Sequence, residues 1–154
     1  MKLEIEGAKL VAEKLLSGPE VYREETTVML EESTSIAHRE IVVRTEVGAG
    51  KAAGLRASIG REVLWPVATI GTPYEYATAV EQGTRPHMPP IAPIQHWARV
   101  KLGDEGAAWP VALAIKRRGT RGQWMFREGM KAAKDRIASV VRDARERIIK
   151  RLRT

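Results

Sequence analysis

The chain of 154 residues, 44% hydrophobic and 29% charged, has one domain's length and ordinary globular proportions, which excludes wholesale disorder, collagen-like repeats and low-complexity scaffolds. It has no cysteine, which excludes disulfide frameworks, thiolate metal sites and cysteine nucleophiles, and no apolar run approaches the ~18 residues of a membrane span. The formal charge of +7 is the one unusual figure, and it is unevenly placed: through Ile115 there are 12 Lys/Arg against 15 Asp/Glu, and in the last 39 residues 14 against 4. A body of −3 therefore carries a terminal segment of +10. The opening residues offer no apolar stretch to read as a signal peptide, so a cytosolic protein, or one assembled in the cytosol, is expected.

Two helices are expected over residues 1–39. The first carries Leu3, Ala8, Val11, Ala12, Leu15 and Leu16 at helical spacing, and Ser17-Gly18-Pro19 interrupts it. Pro19 then suits the first turn of a second helix, where its missing N–H would be unpaired in any case. Val21, Val28, Met29 and Ile36 would line that helix's apolar face, leaving Glu24, Glu25, Glu31 and Glu32 to solvent.

Residues 40–70 read as a small sheet. Ile41 to Thr45 is β-branched, Gly48 to Gly54 is a glycine-rich loop, and Leu55 to Leu64 and Trp65 to Ile70 are strands separated by Pro66. The glycine run lacks the Gly-Lys-Ser/Thr triplet of a phosphate-binding loop.

Helices are expected again over 72–118. Thr72, Pro73 and Glu75 fit a helix start, Tyr74, Tyr76, Ala77 and Val80 its buried side, and Gly83 its end. Thr84-Arg85-Pro86-His87-Met88-Pro89-Pro90 is too proline-rich for helix or central strand and reads as a stiff extended loop. Two further helices, 92–102 and 105–118, stop at Gly103 and Gly119, the second tolerating Pro110 only if it begins near Ala107. The last helix, 123–152, carries Phe126, Met130, Ala133, Ile137, Val140, Ala144 and Ile148 as one seam stepping by three and four, which fits an internal core or pairing with a copy of itself. The fold class expected is α+β: a small antiparallel sheet, several helices and a long basic C-terminal helix.

Chemistry-bearing motifs are sparse. His38, His87 and His96 have no three- or four-residue spacing that would bring two onto one helix turn. Neither Gly-x-Ser-x-Gly nor His-Glu-x-x-His occurs, so no catalytic residue, metal ligand or cofactor is expected. The enzymatic rival would need His87, His96 and Glu81 to converge. Arg142, Arg145, Arg147, Lys150, Arg151 and Arg153 form the basic run, which fits a solvated helix face complementing the helix dipole, docking to an acidic protein, or phosphate binding by counterion release. No helix-turn-helix spacing, zinc finger or stacking aromatic set accompanies it to suggest base readout. Trp97, Trp109 and Trp124 fit either packing anchors or interface hot spots.

Several strings occur in a telling order: Gly54-Leu55-Arg56-Ala57-Ser58-Ile59, then Tyr76-Ala77-Thr78-Ala79-Val80-Glu81-Gln82-Gly83-Thr84-Arg85-Pro86-His87-Met88-Pro89-Pro90, Ile94 and Trp97 before Lys101-Leu102-Gly103, and Ala114-Ile115-Lys116-Arg117-Arg118-Gly119-Thr120 before an aromatic-led helix. From about Leu10 to Ala144 this order resembles the Hong Kong ninety-seven gene-product-ten-like tail-component family of tailed-phage virions. The resemblance implies a non-enzymatic α+β domain of the virion neck or tail, assembled in the host cytoplasm and acting in tail completion or head-to-tail joining. It implies other tail or neck proteins as partners, a homo-oligomeric ring with six copies as the first expectation, non-specific DNA contact as a lesser one, and no membrane. Glu81, Gly83, Thr84, Arg85, Pro86, His87 and Met88 are then the candidate protein interface, with the basic run as a second docking surface. The alternative is a nucleic-acid-binding module that uses the C-terminal helix.

Overall fold

The computed structural model describes residues 8–46 and 54–153. The chain is an α+β protein dominated by two long helices: α1 (Ala8–Arg44) and α6 (Met125–Arg153). Between them in sequence lie a short helix α2 (Gly54–Ser58), strands β1 (Gly60–Leu64) and β2 (Val67–Gly71), helix α3 (Ala77–Gln82) and strand β3 (Gly83–Thr84). Helix α4 (Ile91–Leu102), a 3-10 turn at Glu105–Ala107, helix α5 (Ala108–Arg118) and strand β4 (Thr120–Arg121) follow. The sheet is in fact two separate antiparallel pairs, β1 with β2 and β3 with β4.

Helices α1 and α6 run antiparallel along each other. A Cβ placed on Gly129 would meet Ile41, Arg136 reaches Glu40, Arg147 reaches Glu25, and Leu152 lies against Gly18. Small residues at Ala37, Gly129, Ala133 and Ala144 let the two backbones approach, with Ile41 and Met125 fully buried between them. This pairing overrides two local expectations. The break at Pro19 does not divide α1, because loss of one backbone bond is outweighed by continuous packing along α6. Ile41 to Thr45, β-branched though it is, continues the helix to Arg44, with Ile41 buried and Thr45 Oγ1 donating to the Ile41 carbonyl at 2.9 Å. Within α6 the seam runs as expected at Ala133 and Ala144 but starts one residue earlier: Met125 and Gly129 are buried while Met130 is 48% exposed.

The β1–β2 hairpin lies on α1, with Gly60 opposite Gly71 and Leu64 opposite Val67, and its turn contains a cis Trp65–Pro66 peptide. The expected strand from Leu55 is instead α2, which buries Leu55, followed by β1. His38 is satisfied structurally, its Nε2 donating to the Ile59 carbonyl at 2.8 Å. The glycine-rich loop expected at 48–54 lies outside the described residues except for Gly54, which opens α2. Residues 72–76 form turns, since the Thr72 hydroxyl accepts only from the Tyr74 N–H, at 3.3 Å, and α3 begins at Ala77. Tyr74 and Tyr76, expected to be buried, instead stack on each other at 5.1 Å and stay partly exposed. Helices α4 and α5 form an antiparallel hairpin packed through Ala98, Ala108 and Ala112, and Pro110 is accommodated in the first turn of α5.

Candidate functional site

The motif from Glu81 to Met88 sits where three segments of the chain cross. Gly83 and Thr84 pair with Arg121 and Thr120, and the two threonine hydroxyls hydrogen-bond at 2.9 Å. The glycines here are dictated by contact: a Cβ on Gly83 would collide with the Thr120 carbonyl oxygen, and one on Gly119 with that of Thr84. Both also have φ near +70 to +80° (80° and 72°), where side chains are rarely tolerated.

Glu81, offered by the sequence as an interface residue, is committed inside the chain. Its Oε2 accepts the Phe126 N–H at 2.9 Å and its Oε1 the Arg127 N–H at 3.1 Å, while its backbone carbonyl accepts the Trp124 N–H at 3.0 Å. The carboxylate therefore caps the first turn of α6 from another helix, neutralising N–H groups that have no partner within α6 and matching the positive end of its dipole. Trp124 completes the junction. Its φ of 53° is an uncommon backbone state for a side-chain-bearing residue, and the bonds to Glu81 and from the Glu128 N–H hold it there while Arg127 stacks over its ring at 4.3 Å.

Beyond β3 the loop turns outward. Arg85, Pro86 and His87 are exposed, Met88 is 42% exposed, and Pro89 is buried. The His87 Nδ1–H donates to the Arg85 carbonyl at 2.9 Å, which sets the loop's bend. A cleft of about 310 Å³ opens beneath it, with Tyr76, Ala79, Val80, Pro89, Ile94 and Ile115 as apolar walls and Thr84, His87, Thr120 and Arg121 among its polar lining. Glu81 lines a different cleft, with Phe126 and Tyr74, and His96 accepts from Arg99 at 3.2 Å, so the enzymatic trio His87, His96 and Glu81 is not gathered in one cleft. No group of three or more His, Asp or Glu among the described residues is placed to hold a metal ion.

The second candidate surface divides in two. Arg147 Nε donates to Glu25 Oε2 at 2.8 Å, and one nitrogen of Arg151 reaches both Glu25 at 3.0 Å and Glu24 at 2.8 Å. The hydrogen bonds from Arg147 and then Arg151 hold the Glu25 carboxyl below the usual carboxylate range, against the opposing effect of its burial. Glu25, expected to face solvent, is thus only 9% exposed and is the centre of an ion cluster joining α1 to α6. Arg142 and Arg145 lie on the exposed side of α6, and Lys150 and Arg153 line a shallow groove with Glu146 and Ile149.

A further basic set escaped the sequence reading because it is dispersed along the chain. The β3–β4 crossing brings Arg85 close to Lys116-Arg117-Arg118 and Arg121, and none of these five makes an ion pair among the described residues. The pairing of Gly-Thr with Gly-Thr, at 83–84 and 119–120, was the available signal. Trp97 and Trp109 are 39% and 55% exposed, so neither serves as a core anchor.

No family model matches the chain, and neither the curated proteins nor the solved structures yield a match.

Proposed function

We propose that the protein is a non-enzymatic assembly component of a tailed-phage virion, acting in the neck or tail in tail completion or head-to-tail joining. The observation that carries this reading is the coincidence of motif and architecture. The residues on which the resemblance rests, Glu81, Gly83, Thr84, Gly119 and Thr120, are those that lock the β3–β4 crossing and cap α6. The remainder of the motif, Arg85 to Met88, projects from that junction as a loop of restricted freedom, so little entropy is lost when a partner docks. The partners are other neck or tail proteins and further copies of the chain, arranged as a ring of six.

Electron microscopy of particles produced without the protein tests the reading. Unjoined heads and tails are expected; normally joined, fully infectious particles overturn it. The rival in which the C-terminal helix grips nucleic acid has less support, because Arg147 and Arg151 are turned toward Glu25 and Glu24. Titration of labelled duplex DNA over a series of salt concentrations separates the two, since phosphate binding must weaken steeply as salt rises.

A further inference from the structure

The molecule is under-buried for its mass. It exposes 11392 Å², whereas compact monomers of 17.1 kDa expose roughly 7,800 Å². The excess is larger than the roughly 1,600 Å² that two standard-sized contacts would remove from one chain. Two features at different places on that surface are complementary in shape and charge.

One is a knob. Leu64 and Val67 close the β1–β2 hairpin as directly opposed residues, so their side chains share a face, and they are 67% and 59% exposed. The tip is fixed rather than free: Trp65 Nε1 donates to Thr26 Oγ1 at 2.9 Å and the Arg23 guanidinium lies 5.3 Å from the Trp65 ring centre. Glu20, Glu24 and Glu31 share the adjoining stripe of α1 with Val28, so the apolar tip stands beside carboxylates.

The other is the apolar cleft of about 310 Å³ under the Arg85–Met88 loop. Arg121 lines it, and Arg85 and Arg118 flank the same crossing without any carboxylate partner among the described residues. The cleft is therefore an apolar socket with an electropositive rim, the inverse of the knob.

We infer that the hairpin tip of one copy, Leu64 and Val67, seats in the cleft of a second copy, with Glu20 and Glu31 of the first facing Arg85, Arg118 and Arg121 of the second. Because knob and socket are different surfaces, the contact is heterologous: each copy gives its knob to one neighbour and its socket to another, and the series closes as a ring or continues as a filament. Apolar insertion supplies the affinity and the charged rim the orientation. The inference rests on the assembly reading for its purpose, but it is measured on the purified chain alone.

Light scattering of the full chain at low and raised salt tests it. The unaltered protein is expected at a multiple of 17.1 kDa, dissociating as salt rises. Leu64→Asp/Val67→Asp removes the knob and Arg85→Glu/Arg121→Glu reverses the socket rim; each is expected to be monomeric, with an unchanged circular dichroism spectrum and melting temperature. An equal mixture of the two variants retains one intact contact and is expected to give a species of two chains and nothing larger. An unaltered protein that stays monomeric at high concentration overturns the inference while leaving the particle test of the assembly reading untouched. Variants that keep the parent mass, or a mixture that forms no pair, overturn it as well.

Discussion

The two basic regions of the molecule are alike in composition and opposite in circumstance. On the C-terminal half of α6, Arg147 and Arg151 face Glu25 and Glu24 across the helix pair, so their charge works within the fold. At the β3–β4 crossing, Arg85, Lys116, Arg117, Arg118 and Arg121 have no carboxylate partner among the described residues, and the nearby Glu81 is engaged with the backbone of α6. Charge density in a sequence thus says little about availability. The densest cationic run is partly neutralised by acids more than a hundred residues earlier, and the available one is assembled from separate segments.

The contrast depends on α1 and α6 meeting in register, and the strongest way to break it is to push them apart. Gly129→Ala would ordinarily raise helix propensity, but its Cβ would lie 2.6 Å from Ile41 Cγ1 and 2.8 Å from Ile41 Cα. A net loss of roughly 1–3 kcal/mol is expected from this overpacking, read by urea denaturation. Next in size is Glu81→Ala, which removes the cap of α6 and should cost about 1 kcal/mol by the same measurement, with Glu81→Gln recovering part of it.

Glu25→Gln removes the charge that Arg147 and Arg151 share, and a drop of a few degrees in melting temperature is expected, smaller at high salt because both arginines are partly exposed. Its pH signature is more specific. A carboxyl whose folded pKa is lowered contributes its full stabilisation above the ordinary glutamate value of about 4.3 and loses it as pH falls through the lower folded value. Melting curves of the parent protein should therefore fall more steeply below that pH than those of Glu25→Gln. The smallest effect is expected at the crossing: Arg118→Ala should leave stability within about 0.5 kcal/mol, because it forfeits no ion pair. A large loss there, or none at Glu25, would erase the distinction between the two regions.

Periodicity and punctuation made the later helices legible. Gly103 and Gly119 end α4 and α5 with positive φ, and the buried positions Ala133 and Ala144 follow the expected seam. The failures share one cause, the helix pair. Ile41, Val42 and Val43 have strand preferences that α6 overrides by burying Ile41 and Thr45. Pro19 would stop an isolated helix, yet α1 continues through it. Glu25 looked solvent-facing because its arginine partners lie 122 and 126 residues away, and only the four-residue spacing of Arg147 and Arg151 hinted at a shared acceptor. At the candidate site, Glu81 was visible as part of a motif, but its service to α6 depends on a chain crossing that no local pattern encodes.

Helix α6 is gripped near both ends by glutamates from other helices, Glu81 at its first turn and Glu25 near its last. Its 29 residues span about 44 Å at the helical rise. A rod of that length, fastened at each extremity, cannot tilt at one end without displacing the other. A load applied to the Arg85–Met88 loop is passed through Glu81 to α6 and delivered along its axis to the Glu25 cluster, making the helix a strut that couples two distant faces mechanically.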